Sequence, residues 1–180
     1  MSCFNIVKFS SGTGLLLFFG LYVIGTYIYL FVDVNKEIET DELYIKVRCP
    51  LSYKISDMYT YVDSTEYNID SPFSATPIGI RMFKDKNKTP EKYINNLTSE
   101  KKKTNNKIIS KDYKNKNDIF LRLHVTSKKN NEGIADGFTR AMKINDCMIL
   151  IIGSKNKYNK MNYKKQIDII KNIKIYSKIK

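Results

Sequence analysis

The chain contains no tryptophan, one histidine and three cysteines, and its arginines are scarce. Each shortage removes a class of chemistry. A single histidine, His124, cannot build a zinc site with these cysteines unless acids join it. No P-loop, dinucleotide glycine fingerprint, HExxH or G-x-S-x-G pattern occurs. The acids are scattered, with no clear pair for acid–base work. The sequence therefore indicates no catalytic residue, metal, cofactor or small-molecule substrate, and the expectation is a protein that is not an enzyme. His124 reads as a structural or surface side chain on the more polar face of a strand.

What the sequence does contain begins near the N-terminus. No charge interrupts the stretch from Phe9 to Val32. Leu15, Leu16, Leu17, Phe18 and Phe19 are followed by Leu21, Val23 and Ile24, then by Ile28, Leu30, Phe31 and Val32. Roughly twenty apolar residues at ~1.5 Å each match a hydrocarbon layer of ~30 Å. The segment 14–32 is expected as a transmembrane helix behind a short tail, 1–13. Tyr27 and Tyr29 suit the interfacial aromatic belt. A cleaved signal peptide is the rival, but it would be shorter and end in small residues. Here the run ends Tyr-Leu-Phe-Val-Asp-Val, and an uncleaved anchor is preferred. Lys8 and the terminal amine favour a cytoplasmic N-terminus and an extracytoplasmic C-terminal domain. The acidic stretch 33–42 is expected as a solvated linker, and 43–180 as one soluble domain.

Charge is unevenly placed. From Asp33 to Ile80 there are four basic and nine acidic residues, a net of −5, while Arg81 to Lys180 carries +17; with Lys8 these give the net +13. Such asymmetry can mark a face for anionic partners. AT-rich coding, which enriches Lys, Asn, Ile and Tyr together, is the competing explanation. Lys101, Lys102, Lys103 and Lys107 form the candidate patch for an anionic partner. The first three also suit the end of a helix, where positive charge complements the dipole.

Periodicity outlines the domain. Leu43, Ile45 and Val47 alternate with Tyr44, Lys46 and Arg48, which predicts a half-buried strand. Segment 51–71 is ambiguous. Ile78, Ile80 and Met82 alternate again. Thr89-Pro90-Glu91 signals a helix start. Strands follow over 107–113, 118–126 and 134–144, with a turn at Asn130–Gly133 and a bulge expected near Gly137. The apolar run 148–152 should be a central strand, and a last helix spans 156–172. Lys174-Ile175-Tyr176 suggests a short edge strand. The expected fold class is α+β, a mostly antiparallel sheet packed by two helices.

Three stretches also carry a family likeness. TPEKYINNL (Thr89–Leu97), NKIISKDYKNKNDIFLRLHVTS (Asn106–Ser127) and CMILIIGSKNKYNKMNYKKQIDIIKNIKI (Cys147–Ile175) follow one another in a familiar order. From Ile78 to Tyr176 the layout resembles the PsbP-like superfamily, which includes the extrinsic photosystem protein PsbP and the cell-envelope protein DcrB. Asn172-Ile173 stands where that family usually has Ser-Phe. The resemblance implies an α/β sandwich and an accessory or adaptor role without an active site.

Cys49 and Cys147 are the only intradomain pair. They form a disulfide if the domain is oxidised, or remain two buried thiols. Asn96-Leu97-Thr98 matches the glycosylation pattern, which chance produces often. Tyr113, Phe120 and Tyr158 lie among lysines, yet no nucleic-acid motif supports them. Three functions remain in view. The preferred one is a membrane-anchored accessory protein whose basic domain binds a protein partner or an anionic envelope surface. The second is a small structural subunit of a membrane complex, and the third a polyanion- or nucleic-acid-binding module.

Overall fold

The computed structural model describes residues 11–61, 64–72, 76–99, 104–127, 133–155 and 163–178. The chain begins with a helix, α1 (Ser11–Phe31), followed by the strands β1 (Asp33–Glu39), β2 (Leu43–Pro50), β3 (Lys54–Tyr61), β4 (Ser64–Asp70) and β5 (Ile78–Lys84). Then come α2 (Pro90–Ser99), the strands β6 (Thr104–Asn115), β7 (Asp118–Ser127), β8 (Gly133–Ile144) and β9 (Cys147–Lys155), the helix α3 (Tyr163–Asn172) and β10 (Lys174–Ser177).

The strands form two antiparallel sheets. The larger has the order β3-β4-β5-β9-β8-β7-β6, and the smaller β1-β2-β10. Strand β9 is central, as its unbroken apolar run requires, because both of its faces are covered. Cys147, Ile149 and Ile151 face one core, and Met148 and Leu150 the other. The second core is built by Ile94 of α2 on Ile119, Leu121, Leu123 and Ala141. The first is larger. There Ile169, Ile170 and Ile173 meet Ile45 and Val47 of the small sheet and Ile80 and Phe138 of the large one. The result is a layered α+β domain, with α2 on one side and α3 plus the small sheet on the other.

Local chemistry accounts for the element ends. Thr89 caps α2, accepting a hydrogen bond from the Lys92 N–H at 3.2 Å, and Pro90 opens the first turn, where no N–H is needed. Asn145, at φ 54°, turns β8 into β9; asparagine tolerates this left-handed geometry better than most side chains.

Several expectations are corrected. The acidic segment 33–42 is not a free linker, since Asp33–Glu39 pairs with β2 along its whole length. Its charges alternate outward and find cations, while Ile38 is buried. The ambiguous segment resolves into the hairpin β3–β4, with a bulge between Asp57 and Tyr59. No register shift occurs at Gly137; the shift between β7 and β8 falls at Val125/Thr126 instead. The expected Asn130 turn and the stretch 156–162 lie outside the described residues.

Two interactions lock the layers. A side chain at Gly153 would place Cβ 2.1 Å from the Phe138 ring, so the bare backbone at Gly153 is what lets Phe138 lie flat in the core. Arg140 is 3% exposed. Its Nε and Nη2 donate to Asp118 at 2.8 and 2.7 Å. Its Nη1 donates to the carbonyls of Ile170 and Ile173, both at 2.9 Å, and to that of Lys171 at 3.2 Å. These carbonyls end α3 and lack partners within the helix, so the guanidinium acts as its C-terminal cap.

Gly153→Ala is expected to lower stability by ~1–3 kcal/mol through overpacking, with Gly153→Ala/Phe138→Leu recovering part of the loss. Arg140→Ala is expected to cost ~3–5 kcal/mol, because it strands the buried Asp118 carboxylate. Denaturant unfolding of the detergent-solubilised chain measures both.

Candidate functional site

The apolar helix α1 stands clear of the domain over most of its length and meets it only at its C-terminal end. Leu15, Leu16 and Phe18 are each 73% exposed. A buried core helix is therefore excluded. From Gly14 to Phe31 the helix is long and apolar enough to cross a membrane, a test that a signal sequence near the N-terminus also passes. Its C-terminus is stitched to the domain. The Ser52 N–H donates to the Tyr29 carbonyl at 2.9 Å, and the Leu51 N–H to that of Val32 at 3.1 Å. Lys36 adds Nζ hydrogen bonds to the Leu51 and Tyr53 carbonyls of the same loop. Only Val32 separates α1 from β1.

Immediately after that junction a groove of about 510 Å³ opens between α3 and the small sheet. Alternation along β2 decides its lining. Leu43, Ile45, Val47 and Cys49 are buried, so Tyr44, Lys46 and Arg48 point the other way. Across the ladder, Lys174 stands directly opposite Lys46, and Tyr176 opposite Tyr44. On the helix side lie Lys165, Asp168 and Asn172. Asp33 closes the end nearest α1, held by Lys165 Nζ at 2.7 and 2.9 Å.

The groove's cations are loosely matched. Arg48 lies 4.0 Å from Asp33, which Lys165 already holds more closely. Lys46 lies 4.0 Å from Glu37. Glu37 also accepts a hydrogen bond from Tyr44, and this bond, with desolvation, pushes the Tyr44 hydroxyl up to about 12. Tyr44 thus stays a donor at any ordinary pH. Lys174 has no ion-pair partner among the described residues. Like charges directly opposite in an antiparallel pair oppose folding, so Lys46 and Lys174 form an unbalanced pair.

A smaller cavity of about 250 Å³ lies over Asp118, Phe120 and Arg140. Its guanidinium is fully engaged, and Lys171 covers the Phe120 ring at 4.9 Å. His124 pairs with Asp136 across β7 and β8, Nδ1 to Oδ1 2.7 Å. No group of three or more His, Cys, Asp or Glu placed to hold a metal ion occurs among the described residues.

The sequence-derived patch divides. Lys101, Lys102 and Lys103 lie outside the described residues. Lys107 is placed on β6, opposite His124. The groove brings together a different set, Lys46, Arg48, Lys165 and Lys174. The alternation along β2 already put Lys46 and Arg48 on one face; adding Lys174 required the β2–β10 register.

Of the two alternatives for the cysteines, the structure has the two buried, free thiols. Cys147 stands opposite Lys84, which pairs with Glu42 at 2.6 Å, so it lies at the start of β2. Cys49 lies six residues along that strand, near Lys36 and Asp33. At ~3.3 Å per residue the separation is ~20 Å, far beyond the ~7 Å between Cα atoms that a disulfide allows. Burial pushes both thiols up, and the nearby Glu42 carboxylate adds to this at Cys147.

No protein-family model matches the chain, and no curated protein matches it. Among solved structures, the fold is similar to the solution structure of cyanobacterial PsbP from Synechocystis sp. PCC 6803. The TM-score is 0.54 at 6% sequence identity, covering 77% of this chain and 95% of that one. The domain therefore has a PsbP-like fold.

The thiol geometry makes a direct prediction. In the native chain Cys49 and Cys147 should resist alkylation at neutral pH, because raised pKa values leave little thiolate, and their labelling should quicken as pH rises. After denaturation without reductant both should label fully, read by peptide mass spectrometry; protection that only a reductant removes would reveal a bridge.

Proposed function

We propose that this protein is a non-enzymatic, membrane-anchored accessory protein that holds a PsbP-like domain against the outer surface of a membrane for a protein partner. One observation carries the reading. An apolar helix of membrane-spanning length, none of it buried in the domain, is joined to that domain through a single residue and two main-chain hydrogen bonds. A removable signal sequence gains nothing from such a junction, whereas an anchor that must hold its domain close does. Exposed apolar surface of this size is also not tolerated in water.

The PsbP-like fold supports an accessory role, because it supplies a rigid layered scaffold and the side chains on it form ion pairs rather than an acid–base site. Lys8 precedes the helix, while Lys36 follows it amid the acids Asp33, Glu37, Glu39, Asp41 and Glu42; on this reading the N-terminus is cytoplasmic and the domain with its groove lies outside. The partner would meet a surface whose position above the bilayer is set by the α1 junction rather than by a flexible tether.

Two measurements on one tagged chain test the proposal. The chain should stay in the membrane pellet after an alkaline carbonate wash. A tag after Lys180 should be removed by protease added to intact cells with any outer envelope permeabilised. Release into the wash would mean the helix is no anchor, and a tag protected until lysis would place the domain inside.

A further inference from the structure

We propose that the groove between α3 and the small sheet is a binding site for the headgroup of an anionic glycerophospholipid from the membrane that α1 crosses. The inference rests on the anchored reading above and names the ligand of the groove described there.

Location comes first. Phe31 ends the apolar span, and Asp33, at the mouth of the groove, follows two residues later. At most ~7 Å of backbone separates them, about the depth of one headgroup layer. Arg48 stands opposite Asn35, two residues further along β1. Its side chain is 71% exposed, and an arginine stem can reach several Å back toward the interface. The mouth of the groove therefore lies where lipid phosphates lie.

Charge comes second. Lys46 and Lys174 face each other across the ladder, and Arg48 follows Lys46 on the same face of β2. The acids near them have other partners: Asp33 is held by Lys165 at 2.7 Å, and Glu37 accepts a hydrogen bond from Tyr44. Lys46 and Arg48 thus keep only long 4.0 Å contacts to acids, and Lys174 has no ion pair among the described residues, on a strand pair where Lys46 and Lys174 oppose each other. A phosphate diester placed between them satisfies all three with charge-assisted hydrogen bonds. The fourth cation, Lys165, keeps Asp33 occupied and so keeps that carboxylate from repelling the phosphate. Asp168, on the α3 wall, has no hydrogen bond to its carboxylate among the described residues. It would accept one from a headgroup hydroxyl, which suits a glycerol headgroup.

The site differs from a diffuse basic surface. Lys46 and Arg48 come from the net-acidic stretch Asp33–Ile80 and meet Lys165 and Lys174 from the basic half only through the fold.

The test uses the full chain in mild detergent, titrated with phosphatidylglycerol or phosphatidylcholine and read by native mass spectrometry. One phosphatidylglycerol should bind at least about tenfold more tightly than phosphatidylcholine. Lys46→Gln/Arg48→Gln/Lys174→Gln should bring the two lipids to within about twofold. The charge-matched control, Lys86→Gln/Lys92→Gln/Lys116→Gln at exposed positions elsewhere, should keep the preference. Unfolding without lipid should show the groove variant about as stable as the parent, since relief of the Lys46–Lys174 opposition offsets the loss of the long pairs to Glu37 and Asp33. Equal affinity for both lipids in the parent would overturn the proposal. So would equal loss in the control, which would mean general charge, or displacement of the lipid by equimolar glycerol phosphate, which would mean a soluble phosphate site. The carbonate wash keeps the two ideas apart: a chain that remains in the membrane without the lipid preference refutes only the groove.

Discussion

The domain depends on the buried contact between Arg140, Asp118 and the end of α3. Removing a guanidinium and a carboxylate from water costs several kcal/mol per ion, and their attraction offsets this only when the remaining donors are also satisfied. Here they are. Two nitrogens engage Asp118, and the third takes three carbonyls at the end of α3. The contact fixes where α3 stops over the large sheet. Ile173 is the single residue between α3 and β10, so the same contact fixes where β10 begins. Strand β10 pairs with β2, and that pairing brings Lys174 opposite Lys46. A salt bridge in the core thus sets the register that builds the groove on the surface.

The junction with α1 is the second constraint. Helix C-termini carry unpaired carbonyls, which water or a cap must satisfy. Here the loop after β2 supplies N–H donors from Leu51 and Ser52, and Lys36 holds that loop from β1. The helix end, the first strand and the β2–β3 loop therefore behave as one unit. On the proposed anchored reading, a helix fixed in this way carries its domain at a set height and tilt, which a flexible linker of the same length would not do.

Much of this was legible in the residues. Alternation at Leu43–Arg48 and Asp118–Thr126 marked half-buried strands, and the unbroken run Met148–Ile152 marked the centre of the sheet. Thr89-Pro90 located α2, and three separated stretches located the PsbP-like layout. The misses have physical causes. Segment 33–42 read as a linker because acidic residues seldom favour strands, yet at alternate positions they face cations that only the fold supplies. The hairpin β3–β4 was hidden because Tyr, Asp, Ser and Thr at its positions give no apolar period. Gly137 drew the bulge because glycine permits one, but the ladder there continues unbroken.

The sequence by itself determined the class of the molecule: an uncharged helix of membrane length ahead of an α+β domain without catalytic motifs. Both follow from local properties, namely hydropathy over twenty residues and periods of 2 or 3.6 that each segment carries alone. The tertiary structure decided which charges meet. It set Cys49 and Cys147 at opposite ends of β2, and it drew four cations together from β2, α3 and β10. Pairing register and layer packing place residues more than a hundred positions apart within one groove, and no local pattern in the sequence encodes that distance.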